Sequence, residues 1–92
     1  MIISFKCKHT AKLAQGCYVR PFASIMNIAR RKLRQLEIAG QLEDLRVPPG
    51  NHLEILRGDR VGQHSIRIND QWRVCFCWTD MGAVDVEIVD YH

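Results

Sequence analysis

The sequence has little with which to cross-link or stiffen itself. Cysteine occurs four times, proline three times, and aromatic residues make up 8% of its 92 positions. The cysteines, Cys7, Cys17, Cys75 and Cys77, fall in C-x-H and C-x-C spacings rather than the C-x2-C knuckles of structural zinc. Cys7, His9 and Cys17 are therefore set aside as metal ligands, and the thiols are read as small packed groups. No metal and no cofactor is expected. No apolar run approaches the roughly 20 residues that span a bilayer, so no membrane partner is expected. The opening "MIISFKCKHT" has no long apolar core and no small-residue cleavage site, which predicts a cytoplasmic protein with free thiols. A glycine-rich phosphate loop, a G-x-S-x-G elbow and a metal triad are all missing, and three common chemistries go with them. Repeats and low-complexity stretches are missing too.

What is present suits one small α+β domain over residues 1–92. Hydrophobic residues make up 47% and charged residues 25%. Thirteen lysines and arginines against ten acids give a net charge of +3. That mild excess is compatible with a polyanionic partner. "MIISFKC" reads as a first strand and "HTAKLAQG" as a short helix, with Thr10 as N-cap and Gly16 as stop. "RPFASIMNIARRKLRQLEIAG" is the clearest helix, with Pro21 near its start and Gly40 past its end. Ile25, Ile28, Ala29, Leu33 and Leu36 form one buried stripe on it. Arg30, Arg31 and Arg34 fall off the stripe, on a solvated face or one that meets phosphate or a partner. "QLEDLRVPPGNH" is a connector anchored by Leu42 and Leu45, and "LEILRGDRVGQ" a short extended piece broken at Gly58 and Gly62.

The remainder alternates as an antiparallel meander: "HSIRI", a turn at "NDQ", "WRVCFCW", a turn at "TDMGA", then "VDVEIVDYH". Period-two alternation puts Trp72, Val74, Phe76 and Trp78 on one face, matched by Ile66, Ile68, Val84, Val86 and Ile88. The helices need that face to cover. The opposite face carries Arg67 and Arg73 side by side, a pair suited to holding an anion. The competing reading pairs them with Asp85 or Glu87 on the neighbouring strand. His64 shares the parity of Ile66 and is read as a packed or edge histidine. The sequence closes on Asp90, Tyr91 and His92. A strand paired into a sheet ties such residues down, with Asp90 and His92 on one side and Tyr91 on the other. His92 suits proton transfer near neutral pH, and Tyr91 offers a ring to stack on a base.

The stretch "VPPGNHLEILRGDRVGQHSIRINDQWRVCFCW", with the closing "VEIVDYH", closely resembles the HigB branch of the RelE/ParE toxin superfamily. "MIISFKCKHT" and "IARRKL" fit as well, so the likeness runs over essentially the whole chain. The resemblance implies a microbial-ribonuclease-like, RelE-like α+β fold: a three- or four-stranded antiparallel sheet with two or three helices on one face. It implies a toxin that enters the 30S ribosomal A site and cuts the mRNA there without a metal. A HigA-like helix-turn-helix antitoxin would neutralise it, and operator DNA would be met only through that antitoxin. By position, Arg73 in "QWR" matches a phosphate-stabilising arginine, and Arg67 in "SIRI" a basic neighbour. Asp90, Tyr91 and His92 match the acid, aromatic and histidine of HigB-type sites. A relative carries a catalytic histidine four residues before the glycine of "GDR", where this sequence has Glu54. His52 lies two residues earlier, on the same side if the segment is a strand, so either completes the acid–base set. Arg57, Arg60, Lys6 and Lys8 are expected to contact RNA. Two other readings stay open: a ParE-like inhibitor of gyrase, and a degenerate toxin that serves only as antitoxin-binding co-repressor.

Overall fold

Four antiparallel strands, adjacent in the order in which they occur, make the sheet on which everything else is laid. They are β1 (Glu54–Ile55), β2 (His64–Arg67), β3 (Trp72–Thr79) and β4 (Gly82–Asp90). Two α-helices precede them, α1 (Lys8–Ala14) and α2 (Met26–Ile38). The computed structural model describes residues 1–90. The β2–β3 turn is held by Asn69, whose Oδ1 accepts the N–H groups of Gln71 (2.9 Å) and Trp72 (2.8 Å). This Asx turn explains why "NDQ" ends one strand and starts the next.

Both helices pack on one face of the sheet, and their apolar stripes meet its apolar residues in one cluster. Leu13, Phe22, Ile25, Ala29, Leu33 and Leu36 face Ile66, Ile68, Val74, Phe76, Ala83, Val86 and Ile88. The Phe22 and Trp72 rings meet edge-on at 5.6 Å, as aromatic quadrupoles prefer. Among the described residues no helix is long and apolar enough to cross a membrane.

Four local expectations need correction. "MIISFKC" is not a strand: Ile2 and Phe5 make isolated parallel bridges to Ala83 and Val86 on the outer edge of β4. Between the two bridges, the Ser4 hydroxyl accepts the Asp85 N–H at 2.9 Å, a side-chain bond in the gap between the pairings. Thr10 does not cap α1, whose N-cap position is Cys7. It is buried inside the helix, and its Oγ1 accepts the Ile88 N–H at 3.0 Å. The stop at Gly16 holds: at φ +91 its N–H reaches Leu13 O and the Cys17 N–H reaches Lys12 O, both at 3.0 Å. The long helix is shorter than its pattern, because Pro21 sits in a separate 3-10 turn, Arg20–Phe22. At its other end Ala39 turns extended, and the Gly40 and Gln41 N–H groups bond Asp44 Oδ2.

The fourth correction changes a face. The β3–β4 register slips between Cys75, opposite Glu87, and Cys77, opposite Val84. The extra residue is a β-bulge centred on Asp85, which takes φ 53. Beyond it the parity of β4 reverses. Ala83, opposite Trp78, therefore enters the core, while Val84 moves to the Cys77 face.

The first residue of β4 comes close to the amino-terminal backbone. Gly82 lies at φ +136, and a Cβ there would stand 2.2 Å from the Met1 carbonyl oxygen. That same oxygen accepts the Ala83 N–H at 2.9 Å. Gly82→Ala is expected to lower the unfolding free energy by roughly 1–3 kcal/mol, read from urea titration. An unchanged midpoint would show that the amino-terminal segment yields without cost.

Candidate active site

The sheet face away from the helices is built by alternation. It carries Ser65 and Arg67 from β2, Arg73 and Cys75 from β3, and Glu87 and Val89 from β4. Arg67 stands directly opposite Arg73 across the hairpin, and Ser65 opposite Cys75. Glu87 is opposite Cys75 on the other side. Two guanidinium groups are thus neighbours, as the alternation predicts, but they live in different surroundings.

Arg73 is only 8% exposed. Its Nε donates to Ser65 Oγ at 2.7 Å, and its Nη2 to the His52 carbonyl at 2.6 Å and the Ser65 carbonyl at 3.4 Å. The Glu54 carboxylate is 3.9 Å away and largely in water, so it adds little. A buried cation is tolerable when its donors are met, and charged hydrogen bonds of this kind are the strong ones. No hydrogen bond to a described residue engages Nη1. Arg67 is about one-third exposed and bonds Asp70 in the hairpin turn. Neither arginine pairs with Asp85 or Glu87, contrary to the competing sequence reading. Glu87 is taken by Arg60 at 2.8 Å and approached by Lys6 at 3.9 Å. Its position opposite buried Cys75 draws those two cations onto the same face.

Cys75 lies among these charges. Burial pushes its thiol up, Arg60 pulls it down, Glu87 pushes it up, and Arg73 and Lys6 pull it down. The net rise keeps the sulfur protonated. Among the described residues no three histidine, cysteine or acidic groups cluster as metal ligands would.

The loop before β1 forms the rim. His52 is exposed and left-handed at φ 43, capping a 3-10 turn over Pro49–Asn51. The expectation that His52 keeps the side of Glu54 assumed a strand, and β1 begins only at Glu54. What His52 brings to Arg73 is its carbonyl oxygen, not its ring. Arg57 is exposed before the 3-10 turn Gly58–Arg60, and Arg60 is anchored to Gln63 and Glu87. Lys8 is exposed on the first turn of α1 and shares none of these bonds. His64 is packed as expected, stacked on Phe76 at 6.1 Å.

Asp90 is not brought to the arginine pair. It stands opposite Trp72, on the helix-covered face, where its carboxylate accepts from Gln71 Nε2 at 3.0 Å. Tyr91 and His92 lie outside the described residues. Arg30 also has a defined use, donating to the Gly16 and Cys17 carbonyls at 3.0 and 3.3 Å where α1 ends. Arg31 and Arg34 are exposed. The sequence reading missed Ser65, although its parity with Arg67 in "HSIRI" was a usable signal. It also missed Asn51, which is fully buried in the turn just before His52.

Residues 18–92 match the family model described as RelE-like toxin of type II toxin–antitoxin system HigB. Toxin HigB-1 of Vibrio cholerae serotype O1 is 48% identical over 63 residues, which cover 68% of this chain and 66% of that protein. An uncharacterized protein of Haemophilus influenzae is 35% identical over 54 residues, 59% of this chain and 54% of its own length. The chain thus spans a little under two thirds of the first relative and about half of the second.

Ser65→Ala removes the acceptor of Arg73 Nε and leaves a charged donor unmet beneath the loop. It is expected to cost about 1–3 kcal/mol of stability, measured by denaturant unfolding. A loss no larger than that of a surface serine would mean that water replaces the hydroxyl freely.

Proposed function

The chain belongs to the HigB-type, RelE-like toxin family of type II toxin–antitoxin systems, and from that premise we propose that it is an endoribonuclease that cuts mRNA in the ribosomal A site. The observation that carries this reading is the facing pair Arg67 and Arg73 on the sheet surface away from the two α-helices. Arg73 is held at Nε and Nη2 by the protein itself, so it need not reorganise when charge develops on a phosphate.

The reaction uses the nucleophile that RNA supplies. A base removes the proton of a ribose 2′-hydroxyl, and that oxygen attacks the adjacent phosphorus. The P–O5′ bond breaks as the leaving oxygen gains a proton. The products are a 2′,3′-cyclic (or 3′) phosphate and a 5′-hydroxyl, and no metal is required. Arg73 and Arg67 stabilise the phosphorane-like transition state. The acid–base work falls to His92 together with the His52–Glu54 rim, and Tyr91 stacks on the nucleotide. Asp90, whose carboxylate also accepts from Gln71, is the alternative to His92 for moving protons. Arg57, Arg60 and Lys6 extend the cationic surface along the RNA. With so small an acid–base set, the ribosome supplies much of the positioning, and cleavage of free RNA is slow. The protein acts in the cytoplasm, and a HigA-like antitoxin binds it and brings it to operator DNA.

The test is cut-site mapping on ribosome-bound message in a reconstituted system. Wild type is expected to leave 5′-hydroxyl ends, with Arg73→Ala and His92→Ala at least about 100-fold slower. A 5′-phosphate end would overturn the mechanism. Inhibition of gyrase supercoiling without message cleavage would move the chain to the ParE-like class. Intact message and normal growth on induction of soluble protein would leave only the co-repressor role.

A further inference from the structure

We propose that Asn51 is a positioning residue, which holds the His52 carbonyl against Arg73 and thereby sets the guanidinium in the active face. The inference rests on the proposed ribonuclease function for its kinetic part and on geometry alone for its structural part. Asn51 is fully buried, one of the few polar side chains among the described residues to be so. Its Oδ1 accepts from Lys32 Nζ at 2.6 Å. Its Nδ2 donates to Gln35 Oε1 at 2.9 Å and to the Leu45 carbonyl at 3.1 Å, with the Val47 carbonyl at 3.5 Å.

Both ends of the carboxamide are engaged, and they are engaged by opposite chemistry. A lysine ammonium can only donate, and the carbonyl oxygens can only accept. The amide therefore has one orientation in which all partners are satisfied. Apolar burial would anchor the turn too, but such burial is non-directional and would let it slide. Burial, with Arg31 beside it, pushes the Lys32 ammonium down from its ordinary range, so the protein accepts a desolvated charge at this joint.

The next residue converts orientation into position. His52 follows Asn51 in the left-handed region, and its carbonyl meets Arg73 Nη2 at 2.6 Å. Bonds thus run without a gap from α2, through Asn51 and His52, to Arg73 on β3 and Ser65 on β2. Sequence neighbours cannot supply this: Lys32 and Asn51 are 19 residues apart, and His52 and Arg73 are 21.

Asn51→Asp keeps the shape and the Lys32 contact but removes both N–H donors. Lys32→Met removes the charged donor from a half-buried site, a milder change if the first variant folds poorly. Lys32→Arg restores a cationic donor. On ribosome-bound message, at a temperature where all are folded, kcat of Asn51→Asp and Lys32→Met is expected to fall about 10- to 100-fold with KM little changed. Lys32→Arg should recover part of the loss. In parallel, the Nε–H resonance of Arg73, assigned by its absence from Arg73→Lys, should shift in both variants. Unchanged kcat together with an unmoved Arg73 resonance overturns the proposal. So does a lower melting temperature with normal kcat. If wild type itself does not cut message, the proposed function fails, and the resonance alone decides the tether: movement supports it, and constancy sinks it.

Discussion

A guanidinium taken almost wholly out of water is the interaction on which the site depends. Removing a cation from solvent costs several kcal/mol, and the cost is offset as its donors find fitting acceptors. Arg73 meets this demand at Nε and Nη2 with one hydroxyl and two carbonyls, none of them ionised. Among the described residues the carboxylate paired with it, that of Glu54, is at the edge of ion-pair range and exposed. The group thus stays positively charged without being cancelled, which is the condition an anion site needs. A tight Glu54–Arg73 pair would have been simpler to stabilise and would have left far less field for a phosphate.

That constraint propagates outward. The face must be free of helices, so both α-helices are crowded onto the other side, where the aromatic and aliphatic residues of β2, β3 and β4 wait for cover. Thr10 locks α1 to β4 by meeting a backbone N–H in the buried layer. The rim must reach down to Arg73, so the connector between α2 and β1 is held by a buried amide rather than by regular structure. Around the patch, Glu87 gathers Arg60 and Lys6. One acid thereby anchors two cations close to a buried thiol whose own ionisation is suppressed.

Much of this was legible in the residues. The hairpin was marked by alternation on both sides of "NDQ", and that alternation alone put Arg67 and Arg73 on one face. The stripe on α2 and the glycine stop of α1 followed from helical spacing and from the conformational freedom of Gly16. Other features were not legible. Val84 has the right residue type and the right spacing for the core, yet a single extra residue at Asp85 turns it outward. Thr10 looks like a cap because caps are where threonine is usually useful, but a buried N–H on β4 competes for the same oxygen. His52 looked like a ring carried on a strand, and its contribution to Arg73 turned out to be backbone.

Local pattern by itself determined the division of the sheet into two faces and the helices that cover one of them, while the toxin family was legible from the motif "LRGDRVGQHSIRINDQWR". The faces and helices are written in periods of two and of 3.6 residues, and short-range sterics enforce them wherever the chain goes. Only tertiary structure decided which acids neutralise which cations, where β4 changes parity, and that Arg73 is buried in neutral acceptors. These outcomes rest on bonds between residues far apart in the chain, from 21 positions for His52 and Arg73 to 78 for Thr10 and Ile88. Such partners compete for the same donors and acceptors, and the competition is settled only when the whole chain has closed around them.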